Sequence, residues 1–212
     1  MKRFSILLAF LFVPASPLAA QEGKVDDAWI EKVAALAPKE QAQAVGDKLK
    51  ELNFKMPATV SFKEEEGKIV EFSFVGAGVK DITPLKALKH VKKLSFASGP
   101  PTSELDKERP EDLSNIAHMP LVELNIRYSK VKDLKPLGQM QLVLLDCGET
   151  PVASLAPIKG MPMETLDCTR TAITTFASLK ALPLKSLTAS YVQVNDLKPL
   201  KDLPITTLHL WA

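Results

Sequence analysis

The sequence predicts an α/β repeat solenoid, a right-handed parallel coil of about seven stacked units of 21–22 residues behind a helical and hairpin N-terminal cap. Three observations predict it. An apolar triplet returns every 21 residues at Leu124-Asn125-Ile126, Leu145-Asp146-Cys147, Leu166-Asp167-Cys168, Leu187-Thr188-Ala189 and Leu208-His209-Leu210, with earlier copies at Phe72-Ser73-Phe74 and Leu94-Ser95-Phe96, after which the steps are 22 and 30 residues. A second motif recurs in phase with it, as DITPL from Asp81, DLSNI from Asp112, DLKPL from Asp133, SLAPI from Ser154, TFASL from Thr175 and DLKPL from Asp196. Hydrophobic residues make up 46% of the 212-residue chain, enough to fill one continuous core. A fixed period of this length marks a repeat architecture, in which each unit buries its apolar face only against its neighbours.

Residues 1–20 stand outside the repeat. Lys2 and Arg3 precede the apolar run Phe4–Val13, and Leu18-Ala19-Ala20 closes it with small residues. This is the layout of a secretory signal peptide. The run is about half the length a membrane-spanning helix needs, roughly 20 residues. The chain is therefore expected to be exported, to the periplasm or the cell exterior, with no membrane insertion after signal cleavage. Removing residues 1–20 takes two basic residues and no acid, which leaves 25 of each sign. A formally neutral protein does not find nucleic acid through bulk charge, so no nucleic-acid partner is expected.

Residues 21–68 are expected to form the cap. Asp26 or Asp27 can cap a helix carrying Trp29, Ile30, Val33 and Leu36, and Pro38 can open a second with Ala42, Val45, Leu49 and Leu52 on one stripe. Thr59–Phe62 and Ile69–Phe72 flank the polar KEEEGK and read as a hairpin. Residues 69–212 form the solenoid. In each unit the leading Asp, Ser or Thr accepts a bond from a free N–H at the start of a helical turn, and the Pro found three places on in four of the six loses nothing in a first turn. The two apolar residues of each turn share a face, so the turn is short, of 3₁₀ type, and feeds a strand. In Leu166-Asp167-Cys168 the alternation turns Leu166 and Cys168 inward and Asp167 outward. Residues 97–111 are an insertion, with Pro100-Pro101 and mixed charges marking a surface loop. The last strand, around 205–210, presents an unpaired edge. Either Trp211 folds over it, or another copy or another protein covers it, so a homodimer through this edge is one expectation.

The repeat resembles the leucine-rich repeat pattern L-x-x-L-x-L-x-x-N-x-L. Its turns resemble the internalin-like bacterial class with its DIxPL motif. Ser154–Thr171, reading SLAPIKGMPMETLDCTRT, is similar to planctomycete repeats of the form DLxPLKGMPLxxLDC. The resemblance covers nearly all of the chain after the leader and implies the fold, not a ligand. Where the family carries Asn, this chain has Ala77, Gly99, Ser129, Thr150, Thr171 and Val192. The hydroxyls of Ser129, Thr150 and Thr171 are expected to bond neighbouring coils weakly, and the ladder is expected to break at Ala77 and Val192.

No nucleophile–base set, metal motif or phosphate loop is present, so neither enzyme activity nor a cofactor is expected. His90, His118 and His209 fall in different phases of the repeat. Cys147 and Cys168 share an inward position one coil apart. A disulfide is one reading, but side chains in register point the same way, which favours two free buried thiols. The outward strand positions and the residues just past them form the expected concave binding face: Asn125, Arg127, Tyr128, Asp146, Glu149, Asp167, Arg170, Tyr191, His209 and Trp211. Tyr, Trp and Arg are frequent at binding hot spots. The expected function is a non-catalytic module that holds an unknown protein ligand on this face. The alternative is a structural or cell-surface component that binds glycan or self-assembles through its last coil.

Overall fold

The computed structural model describes residues 25–53, 59–101 and 107–211. The expected signal peptide, and residues 102–106 of the insertion, lie outside the described residues.

The chain is a leucine-rich repeat solenoid. Among the described residues, eight strands form one sheet in chain order: β1 (Val60–Glu65), β2 (Lys68–Phe74), β3 (Lys93–Ser95), β4 (Glu123–Asn125), β5 (Leu144–Asp146), β6 (Thr165–Asp167), β7 (Ser186–Thr188) and β8 (Thr207–His209). β1 and β2 are an antiparallel hairpin turning at Glu66 and Gly67, both with positive φ, and every later pair is parallel. The register keeps the repeat phase, with Phe72, Leu94, Leu124, Leu145, Leu166, Leu187 and Leu208 in one inward column. The insertion does not disturb it, because Leu94 still pairs with Leu124.

The 3₁₀ turns lie on the opposite side, and their caps follow the sequence expectation in all six units. Asp81, Asp112, Asp133, Ser154, Thr175 and Asp196 each accept, through a side-chain oxygen, the N–H two residues on, at 2.8–3.2 Å. Each cap fixes the direction of the chain as it turns back toward the sheet. Between turns and strands runs a single core, from Trp29 in the cap to Leu200 in the last turn.

The cap consists of α1 (Asp27–Ala34) and α2 (Pro38–Leu52). Asp26 caps α1, accepting the Trp29 N–H at 2.8 Å. α2 starts at Pro38, whose missing N–H has no partner to lose in a first turn. The end of α2 is tied to the first coil by Asn53, which is buried. Its amide donates to the carbonyls of Leu49 (2.9 Å) and Asp81 (2.7 Å) and accepts the N–H groups of Lys80 and Asp81, both at 2.8 Å. No helix among the described residues is long and apolar enough to cross a membrane.

Three details depart from the sequence reading. The hydroxyls of Thr150 and Thr171 bond within their own coil, to the carbonyls of Cys147 (2.6 Å) and Cys168 (2.7 Å), and Ser129 accepts the Val131 N–H. A hydroxyl is shorter than a carboxamide, so it reaches its own turn and not the next. The ladder between coils is instead made by backbone groups and does not break at the apolar positions. Beside Val192, the Tyr191 N–H donates to the Trp211 carbonyl at 2.7 Å, and beside Ala77, the Gly78 N–H donates to the Glu108 carbonyl at 2.8 Å. Trp211 does not close the last coil. It is 71% exposed, and Leu208 and Leu197, whose counterparts in the preceding coil are fully buried, are 45% and 47% exposed.

Candidate functional site

Strands β4, β5 and β6 end alike. The side-chain oxygen of the last strand residue accepts the N–H two residues on: Asn125 from Arg127 (3.1 Å), Asp146 from Gly148 (3.0 Å) and Asp167 from Thr169 (2.9 Å). The next residue takes a left-handed backbone, at Tyr128 (φ 62°), Glu149 (φ 58°) and Arg170 (φ 50°), and Tyr191 (φ 57°) repeats it one coil on. The coil period thus converts one local turn into two parallel columns on the face and rim of the sheet.

The first column is a clamp on the concave face. Arg127 extends from its own coil across the next two, bonding Asp146 through Nε at 3.0 Å and Asp167 through Nη2. Space for this comes from Gly148, where an added Cβ would stand 2.6–2.8 Å from the guanidinium atoms. Burial opposes the charge on Arg127, but the bonds and charges of the two aspartates outweigh it and hold the guanidinium above its ordinary value. Burial pushes Asp146 up, helped by the charge of Asp167, against the pull of the Gly148 N–H and of Arg127. One guanidinium between two carboxylates leaves the cluster with one net negative charge.

The second column lies on the rim. Arg170 Nη1 bonds Glu149 Oε1 at 2.9 Å, and its guanidinium sits 4.6 Å from the centroid of the Tyr191 ring. The bond and charge of Glu149 raise the Arg170 guanidinium above its usual value, with smaller contributions from Tyr191 and Tyr128 on either side. Behind this column is Arg109, a buried residue of the insertion, which donates to the carbonyls of Tyr128 (2.8 Å) and Gly99 (3.0 Å). Beside it, the Lys130 N–H donates to the Pro110 carbonyl at 2.9 Å. The described end of the insertion is therefore stitched to the rim and is not a detached surface loop.

Of the ten residues expected on the binding face, eight come together in these two columns: Asn125, Arg127, Asp146 and Asp167 in the clamp, and Tyr128, Glu149, Arg170 and Tyr191 on the rim. His209 and Trp211 lie beyond them on the last coil, both exposed. Toward the cap the concave face carries a shallow groove of about 390 Å³, floored by residues of β1 to β5 and crossed by the Lys93–Glu123 ion pair at 2.8 Å. The sequence reading missed Arg109, which looks there like one charge among many in ELDKERPED. It also missed the role of Gly148, for which the signal was present: a glycine in a column otherwise holding Arg127, Thr169 and Ser190.

Cys147 and Cys168 are free and buried. Burial pushes the Cys168 thiol up to about 12 and the Cys147 thiol well above its ordinary value, so neither is a nucleophile at neutral pH.

No family model matches the chain, and no curated protein matches it by sequence. Solved structures do match in shape. Internalin C2 from Listeria monocytogenes superposes with a TM-score of 0.57 at 17% identity, over 78% of this chain and 82% of that one. A second internalin from the same organism (inlF) superposes with a TM-score of 0.53 at 21% identity, over 65% of this chain and 46% of its own. At these identities the likeness is one of fold: short parallel strands, 3₁₀ turns and a helical N-terminal cap.

Proposed function

We propose that the chain is an exported, non-catalytic protein-binding module whose partner lies on the concave face. The observation that carries this reading is the Arg127–Asp146–Asp167 clamp. It fixes three charged side chains across three coils before any partner arrives, so little side-chain freedom is lost on binding. The internalin-like fold supports the same class of function. The planctomycete-type repeat remains a resemblance carried by Ser154–Thr171.

The test is capture from the native envelope fraction with wild-type protein, with Asp146→Lys on the concave face and with Lys135→Ala on the convex turn. Capture of the same protein by wild type and Lys135→Ala, and its loss with Asp146→Lys, is the expected result. Capture indifferent to Asp146→Lys would place the partner elsewhere. N-terminal sequencing of the extracytoplasmic protein tests the export proposal, with Met1 as the adverse result.

A second reading is favoured by the exposed Leu197, Leu208 and Trp211, namely association of two copies through the last coil. Covering such surface is worth about 25 cal/mol per Å². Sedimentation over a range of concentrations tests it: mass should rise with concentration, and Thr207→Lys should lower it. A monomer throughout removes this reading.

A further inference from the structure

The groove between the cap and the clamp is built differently from the rest of the concave face. Its outward row runs Ser61, Ser73, Ser95 and Asn125, in register on β1 to β4. On β5 and β6 the same row holds Asp146 and Asp167, whose carboxylates are occupied by the strand-end N–H groups and by Arg127. The serine hydroxyls are too short to make that bond. Asn125 spends its Oδ1 on the Arg127 N–H, and its Nδ2 and the three hydroxyls have no partner among the described residues. A line of unspent hydrogen-bonding groups therefore runs along the groove, one to each strand.

The neighbouring row runs Lys63, Glu71, Lys93 and Glu123. These four charges all border the groove and cancel, with Lys63 at 3.6 Å from Glu71 and Lys93 at 2.8 Å from Glu123. The row then continues with Leu144, an outward apolar side chain between Glu123 and Thr165, which closes that end of the groove. The volume, about 390 Å³, lies at the small end of the ~300–1,000 Å³ of ligand sites.

We propose that this groove binds a straight, neutral glycan chain lying along the solenoid axis. The assignment goes beyond the protein partner of the clamp and does not rest on it. Charge selects the class, because a ligand carrying net charge meets no opposite charge that is not already paired. Hydrogen-bonding roles select it further. A serine hydroxyl both donates and accepts, and a sugar hydroxyl facing it does the same, whereas each group of a peptide backbone has a fixed role. The Lys93 Nζ and Glu123 Oε1 present a donor beside an acceptor. Two adjacent ring hydroxyls match that pair, one accepting from the ammonium and the other donating to the carboxylate, and bonds to charged partners are the stronger kind. Leu144 takes the C–H side of a sugar ring, which has no hydroxyl to desolvate. The row is straight because the strands stay in register at about 4.8 Å, so the chain laid on it is straight as well.

The experiment is calorimetric titration of the full chain with two neutral β1,4-linked probes, cellotetraose and chitotetraose. Maltotetraose, whose α1,4 linkages curve the chain, and a neutral Gly-Ser peptide are the controls. Saturable binding of at least one straight probe, about threefold or more tighter than both controls, is the expected result. Ser95→Val, which keeps a strand-forming residue, and Glu123→Gln should each weaken it about threefold or more, and Lys135→Ala on the convex turn should not. No saturation by either straight probe, equal binding of a control, or undiminished binding by both groove variants with native circular dichroism would each overturn the proposal. Its failure is distinct from that of the protein-binding reading, which stands if capture still depends on Asp146.

Discussion

Gly148 owes its place to Arg127, and the two make one testable unit. Any side chain at 148 meets the guanidinium at 2.6–2.8 Å and must displace it from Asp146 and Asp167. Because Arg127 and both aspartates are about a quarter exposed or less, each single change, Gly148→Ala or Arg127→Ala, is expected to cost about 1 kcal/mol. The double variant should cost no more than the larger single, since both remove the same bonds. Additive losses in chemical denaturation would show that the clamp does not hold the coils. The thiols give a second residue-scale test. Cys168 is pushed up to about 12, so at pH 8 almost none of it is thiolate. A thiol reagent should react slowly with the native protein and promptly with both cysteines after denaturation without reductant. Failure to react until a reductant is added would establish a disulfide.

At the scale of the element, the strand triplet sets the balance between core and face. Leu166 in β6 is 1% exposed, and Leu166→Ala should cost about 2–5 kcal/mol by opening a cavity between coils. Asp167→Ala should cost about 1 kcal/mol through its bond to Arg127. Equal losses at the two positions would contradict the inward and outward assignment. Alternation in the sequence was enough to assign those two residues, because strand geometry forces it. The turn caps were legible for the same reason, since donor and acceptor lie two residues apart. Asn53 and Arg109 were not, because their partners are backbone groups 27–28 and 10–19 residues away, and a backbone carbonyl leaves no mark in the sequence. The columns themselves were read from the period. The bonds within them were not, because whether Arg127 turns along the axis depends on the space above Gly148.

Across the whole molecule, stability should fall toward the last coil. Each coil is held by its neighbours, and in β8 the inward Leu208 is 45% exposed where Leu187 and Leu166 are buried. The amides of Thr206 and Thr207, which donate to the Lys185 carbonyl, should exchange with solvent before those of Lys185 and Ser186, which donate to Glu164. Uniform protection along the sheet would mean that the solenoid opens as one unit.

The constant period also has a mechanical meaning. Under tension applied at its two ends, a rod whose coils touch only their neighbours yields by peeling, one coil at a time. Each 21-residue step would lengthen the chain by roughly 70 Å. The interval of 30 residues from Leu94 to Leu124 would release roughly 100 Å. The pulling trace would then show a run of equal steps and one long one, locating the insertion by force alone.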